Sequence, residues 1–173
     1  MGDPRKHRKK FIKPSHPWQK QRLETEGAFI KEYGLKNKKE IWKAQAKLRH
    51  YASLAKNLVR ESDQESIKES EQLVLSLHKM GILPENGTIN DILSLTEKDI
   101  FERRLQTQVV RKGLARTFRQ ARQFITHGHV TVNNKSMRVP SYLVRVDEEV
   151  GFSPLSTLKS EDHPERTVEI KEE

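Results

Sequence analysis

Thr117-Phe118-Arg119-Gln120-Ala121-Arg122-Gln123-Phe124-Ile125-Thr126-His127-Gly128-His129-Val130-Thr131-Val132-Asn133-Asn134 contains a helix start, a helix stop, a strand and a turn in eighteen residues. Thr117-x-x-Gln120 is a capping box: the hydroxyl and the amide each satisfy a backbone N–H that the first helical turn leaves open. The spacing predicts a helix through Ile125 or Thr126, and Gly128 ends it. At 100° per residue Phe118, Ala121, Phe124 and Ile125 share one side, while Arg116, Arg119, Arg122 and Gln123 share the other. Residues 129–132 then alternate as a strand, and Asn133-Asn134 tolerates the positive φ of a turn. Residues 137–139 resume the strand, Pro140 stops it, and residues 142–146 and 149–152 add two more short strands. A helix with one apolar side beside short strands gives an α+β module.

Charge separates this module from its surroundings. The chain has 173 residues and a formal net charge of +9, carried in blocks: +12 over residues 1–60, −7 over 61–102, +10 over 103–145 and −6 over 146–173. Residues 103–145 hold ten arginines and lysines and no acid, interleaved with core formers such as Leu105, Val109, Val130 and Val132. A segment that can both pack a core and present one sign of charge is a polyanion-binding module, and nucleic acid is the obvious polyanion.

Upstream, residues 1–22 form a basic arm with Arg5, Lys6, Arg8, Lys9, Lys10 and Lys13, broken by Pro4, Pro14 and Pro17 and interleaved with Phe11 and Trp18. Aromatics among cations can stack on bases. The arm has too few apolar groups to offset its chain entropy, so it is expected to be disordered when free and ordered on RNA. Residues 38–60 read as an amphipathic helix whose apolar stripe is Ile41, Ala44, Leu48, Tyr51, Ala52, Ala55, Leu58 and Val59; Trp42 lies off that stripe as a second packing contact. A helix is expected over residues 66–80, with Ser66-x-x-Glu69 as capping box and Gly81 at its end. Another is expected over residues 96–112, opened by Thr96-x-x-Asp99. The units are a basic N-terminal arm (1–37), a helical domain (38–100), the module (101–152) and an acidic C-terminal tail (153–173).

Other chemistries find little support. With 34% apolar and 33% charged residues, no run reaches the length of a membrane span, and the first residues lack the apolar core of a secretory signal. The absence of cysteine excludes disulfides and thiolate metal sites. His127 and His129 flank a glycine with no acid nearby, and zinc needs about four ligands, so contact with RNA or packing of the turn is the better role for both. No phosphate-cradling glycine loop and no nucleophile–base constellation is present. Neither metal nor cofactor is expected.

The order Glu102-Arg103-Arg104-Leu105, Gly113-Leu114-Ala115-Arg116-Thr117, Gln120 through Asn133, and Val139-Pro140-Ser141-Tyr142 resembles the S-four RNA-binding domain, a small αL-type module of two or three helices against a short bent sheet. Gly2-Asp3-Pro4, Pro14-Ser15-His16-Pro17-Trp18, Tyr33-Gly34-Leu35-Lys36-Asn37 and Glu40-Ile41-Trp42-Lys43-Ala44 are similar to the archaeal and eukaryotic form of the protein-four family of the small ribosomal subunit. The resemblance implies a non-enzymatic protein on the cytoplasmic ribosome. It would bind small-subunit ribosomal RNA early in assembly at a multi-helix junction, beside neighbouring ribosomal proteins and near the channel by which mRNA enters. Neither a membrane nor a second copy of the chain is implied.

Carried onto this sequence, the RNA-facing residues of the module are Arg103, Arg104, Arg116, Thr117, Arg119, Arg122, Gln123, His127, Gly128, His129, Lys135 and Arg138. The arm adds its six cations and Trp18. Asn133-Asn134 stands where many members have Asn-Gly, which points to a wider turn. Two other functions share the motif, a ribosome-biogenesis factor and an RNA-modifying enzyme that uses the module as its grip. The ribosome-like arm opposes the first, and the shortness of both flanks opposes the second.

Overall fold

The computed structural model describes residues 9–60 and 63–159. Among the described residues seven α-helices and three strands follow one another: α1 (Lys20–Tyr33), α2 (Lys38–Arg60), α3 (Gln64–Lys79), α4 (Ile89–Ser94), α5 (Glu97–Glu102), α6 (Leu105–Arg111), α7 (Phe118–Thr126), β1 (Val130–Val132), β2 (Lys135–Ser136) and β3 (Val150–Phe152). The antiparallel sheet has the order β2-β1-β3, and the fold is α+β.

Two apolar cores lie in series. The first gathers Tyr33, Leu35, Ile41, Ala44, Ala55, Leu77, Ile92, Ile100 and Phe101 from α1 to α5. The second gathers Leu105, Val109, Ala121, Phe124, Ile125, Val130, Val132, Val144, Val150 and Leu158 from α6, α7 and the sheet. Phe101, the first residue of the expected module, packs in the first core, and Leu105 opens the second. Burying a side chain as large as Phe101 contributes roughly 1.5–3 kcal/mol, which makes such residues the anchors of each half. Rings cross the junction: Phe29, Tyr33 and Phe101 pack together, and Tyr33 meets Phe118 of α7 at 6.3 Å. α1 ends at Gly34, whose φ of +57° is left-handed; a Cβ there would lie 2.3 Å from Phe118 Cβ, so only glycine lets α1 and α7 come this close.

Several expected elements take a different form. The arm assigned to residues 1–37 contains a complete helix, α1, which packs Phe29, Ile30 and Tyr33 on the first core. α3 begins at Gln64 after Asp63; Ser66 lies inside it, buried, its hydroxyl donating to the Asp63 carbonyl at 2.6 Å. The helix expected over 96–112 is two helices, broken at Arg103-Arg104. There the Leu105 amide donates to the Tyr142 carbonyl and the Val144 amide to the Arg103 carbonyl, both within 2.9 Å. The neighbouring chain thus takes up backbone groups that a continuous helix would use itself, and residues 142–146 form a single bridge, Arg104 with Leu143, instead of a strand. A short helix not expected, α4, is opened by a Thr88–Asp91 capping box.

The Asn133-Asn134 turn is tight, with φ of 47° and 64° and Val132 opposite Lys135, the two-residue hairpin geometry that asparagine tolerates best after glycine. The strand after it ends at Ser136, although the Met137 amide still donates to the Val130 carbonyl at 3.0 Å. The acidic tail begins later than residue 153: residues 157–159 form a turn of 3₁₀ helix, and Leu158 is buried in the second core. The rest of that tail lies outside the described residues.

Candidate nucleic-acid interface

α7 is the centre of the site. Ala121, Phe124 and Ile125 face the core, as the spacing predicts. Thr117 Oγ1 accepts from the Gln120 amide at 3.2 Å, while Gln120 Oε1 accepts from the Arg116 amide at 2.9 Å, so the box closes one residue before the cap. Arg116, Thr117, Arg119 and Gln123 are all exposed on the outer side, at and after the positive end of the helix. At the other end the chain turns sharply through Gly128. Its φ is +83°, and a Cβ would sit 3.2 Å from Arg138 Nε, so this glycine lets the hairpin lay Arg138 across the helix–strand corner. Ser136 Oγ donates to the Gly128 carbonyl at 3.2 Å and holds the hairpin there. Lys135, Arg138 and His127 are exposed around the same corner. His129 is half-buried, its Nδ1 2.9 Å from Ser156 Oγ and its ring against the edge of Phe124. Exposed cations thus lie along the outer side of α7 and on the hairpin that follows it.

Three arginines assigned to this row serve the interior instead. Arg104 is 5% exposed, and its Nη2 donates to Glu40 Oε2 of α2 at 2.5 Å. Arg122 lies 3.5 Å from the other oxygen of Glu40 and reaches Gln106 Oε1, so one carboxylate of the first half is clamped by two guanidiniums of the second. Gln106, also buried, donates to the carbonyls of Gly34 and Phe118. Arg103 donates through Nε to the Met80 carbonyl and through Nη2 to the Val144 carbonyl, at 3.1 and 2.8 Å. A charge as buried as that of Arg104 needs hydrogen-bonded partners, and the partly exposed Arg103 and Arg122 also bond to protein. They hold the junction that aims the row; Arg122, still part exposed, keeps one edge on the surface.

In the arm, Arg5, Lys6 and Arg8 lie outside the described residues. Lys9, Lys10 and Lys13 are exposed, and Trp18 is 87% exposed. The expectation of an arm without structure meets a different arrangement over residues 9–19. Phe11 packs on Trp42 with ring centroids 5.9 Å apart, and Arg22 donates to the carbonyls of His16 and Pro17. Trp42 is a packing residue, its Nε1 donating to the buried Glu26 at 3.0 Å.

The residue pattern alone gave no role to Lys43 and Lys47 of α2. Together with Arg104, Arg122 and Ser141 they line a groove of about 220 Å³ between α2 and the module. Loss of solvent along the groove wall, then the charges of Arg104 and Lys10, push the Lys47 ammonium below its usual value. Glu40 lies in the same groove and takes up the charge of Arg104 and Arg122. The signal was present in the sequence, because α2 has no acid after Glu40. Among the described residues no group of three His, Asp or Glu side chains gathers as a metal site would require.

The S4 domain family matches residues 103–150, the stretch that carries the second core and the cationic row. The chain is 49% identical over 172 residues to small ribosomal subunit protein uS4 of Nanoarchaeum equitans, covering 97% of this chain and 96% of that protein. It is 47% identical to the uS4 proteins of Methanococcus aeolicus and Methanococcus maripaludis, over 99% and 100% of this chain and 99% of each of theirs. With nearly half of all positions identical from end to end, the chain belongs to the family of small ribosomal subunit protein uS4.

Proposed function

We propose that this protein is a structural constituent of the small ribosomal subunit that grips small-subunit ribosomal RNA directly, through the outer side of α7 and the β1–β2 hairpin. The observation that carries this reading is the exposure of Arg116 and Arg119 at the start of α7 and of Lys135 and Arg138 on the hairpin beyond Gly128, in a stretch without a single acid. Each arginine can hold two phosphate oxygens at once. The fixed helix–hairpin corner matches shape more than sequence, as structured RNA demands. Binding early in assembly at a multi-helix junction, near the channel by which mRNA enters and beside other ribosomal proteins, is the finer part of the same proposal. No reaction is assigned: the site offers charge, hydrogen bonds and rigidity, and the protein works by holding RNA in place.

Two measurements test this. The protein should sediment in stoichiometric amount with mature small subunits; its presence only on precursor particles would make it a biogenesis factor instead. Its affinity for an isolated small-subunit RNA should fall steeply with salt, by roughly a thousandfold between 50 and 200 mM if about six phosphates are contacted. An affinity indifferent to salt would contradict the proposal.

A further inference from the structure

After β3 the chain is tied down beside the hairpin before its acidic tail begins. The Ser153 amide donates to the His129 carbonyl at 2.7 Å, Ser156 Oγ lies 2.9 Å from His129 Nδ1, and Leu158 is buried in the second core. The His129 amide in turn donates to the Phe124 carbonyl of α7. His129 follows Gly128, where Arg138 Nε lies 3.2 Å from the place of a Cβ. Residues 153–158 are therefore fixed at the C-terminal end of α7, close to the arginine of the hairpin. Beyond them residues 160–173 hold six acids, Glu161, Asp162, Glu165, Glu169, Glu172 and Glu173, against Arg166 and Lys171. We propose that this acidic segment is a built-in competitor of RNA: without RNA it binds back onto the exposed cations of the hairpin and of the outer side of α7, and RNA must displace it. The contact lies within one chain, and its consequence for RNA rests on the module's being an RNA grip.

Three observations carry the inference. First, the charges are complementary and open to one another. Residues 103–145 carry ten cations and no acid, and among the described residues Arg119, Lys135 and Arg138 take no acidic partner. Crowded like charges repel one another and draw in a polyanion. Several other acids of the chain are already engaged: Asp91 and Asp99 close capping boxes, and Glu102 holds Arg111. Second, the distances suffice. α7 is about 14 Å long at 1.5 Å per residue, whereas a segment of fourteen residues can span up to about 46 Å. From its fixed start at the end of α7 the acidic segment can reach the whole outer side of the helix as well as the hairpin. Third, the anchor makes a weak contact count. Single exposed ion pairs contribute little, but a short tether gives an effective concentration in the millimolar range, on the order of 1 mM. A contact too weak to hold a separate peptide is then occupied for much of the time.

The test uses the full chain. It has no cysteine, so Val168→Cys carries a single nitroxide spin label and leaves all six acids in place. In the RNA-free protein the label should broaden the amide signals of residues 118–123 and 133–138 and spare those of α3, and salt of about 0.5 M should remove the effect by screening. A full-length variant with Glu161→Gln, Asp162→Asn, Glu165→Gln, Glu169→Gln, Glu172→Gln and Glu173→Gln keeps the chain length and removes the charge. It should bind a small-subunit RNA transcript about 3- to 10-fold more tightly than the parent at about 50 mM salt, because a site blocked nine-tenths of the time loses about tenfold in apparent affinity. At about 300 mM salt the two should agree within about twofold. Broadening that is absent, or confined to the basic arm or to α2, would overturn the proposal, as would an unchanged affinity of the amide variant at low salt. Arg116→Glu with Arg119→Glu reads the RNA grip separately: RNA binding equal to the parent's there would end the RNA reading, while broadening of the hairpin by the label still reports the contact within the chain.

Discussion

Replacing Arg104 with alanine should unfold the protein more readily without touching the RNA-facing row. The Arg104 side chain is 6% exposed and Glu40 is 15% exposed, so the variant leaves a carboxylate largely out of water with one partner removed. Breaking a buried pair from one side costs about 3–5 kcal/mol. Arg122 remains 3.5 Å from Glu40, which sets the expectation at the lower end, about 3 kcal/mol. For a chain of this size 1 kcal/mol moves the melting temperature by about 2–4 °C, so a fall of roughly 6–12 °C is expected. Urea and thermal melts followed by circular dichroism measure it. Arg104→Met combined with Glu40→Leu removes the orphaned charge as well and should lose less than Arg104→Ala alone. At a temperature where the variant is folded, its affinity for ribosomal RNA should stay within a few-fold of the parent. A variant as stable as the parent but unable to bind would refute the reasoning and return Arg104 to the RNA surface.

Phe124→Ala removes a ring that is 3% exposed in the second core and should destabilise the module by about 3–5 kcal/mol; an unchanged urea midpoint would show that the ring does not support the core. The carboxyl of Glu26 is held below its usual value although burial opposes this, because Trp42 and Arg22 donate to it and Arg22 and Lys38 lie close; Arg111 above all, then Tyr33, do the same for Glu102 against its own burial. Groups with depressed native values contribute stability that is fully present above their ordinary value of 4.5 and is lost as pH falls through the native value. Urea midpoints should therefore drop between about pH 5 and pH 3, and Glu26→Gln should flatten part of that drop; an identical pH profile in the variant would exclude Glu26 as a source.

What the sequence made legible follows from how local each signal is. α7, its cap, the Gly128 stop and the strand after it depend on neighbours within four residues, and all of them appear in the structure. α2 was equally plain because its stripe runs for about five turns, although Val59 at the end of it is 56% exposed. α1 was missed because Lys20–Tyr33 has a weak apolar side, a glycine inside it and no side-chain cap, and it is held mainly by packing against Phe101. The break at Arg103-Arg104 could not be seen locally, since residues 142–144 impose it from about forty positions away. The same distance explains the three inward arginines. In the sequence every arginine of the acid-free block looks alike, and only the fold brings Glu40, sixty-four positions earlier, against Arg104. The functional class was carried by charge and motif together. The division between arginines bonded to other parts of the protein and arginines left on its surface needed the structure.

We propose the outer side of α7 as the RNA grip. The most direct measurement is the dissociation constant of the full chain for small-subunit ribosomal RNA at fixed moderate salt, beside that of the Arg116→Glu, Arg119→Glu double variant. Both side chains are exposed and lie off the core side of α7, so the melting temperature should hold. Two lost phosphate contacts replaced by repulsion should weaken binding by roughly a hundredfold or more. A folded double variant that binds with the parent's affinity would contradict the account.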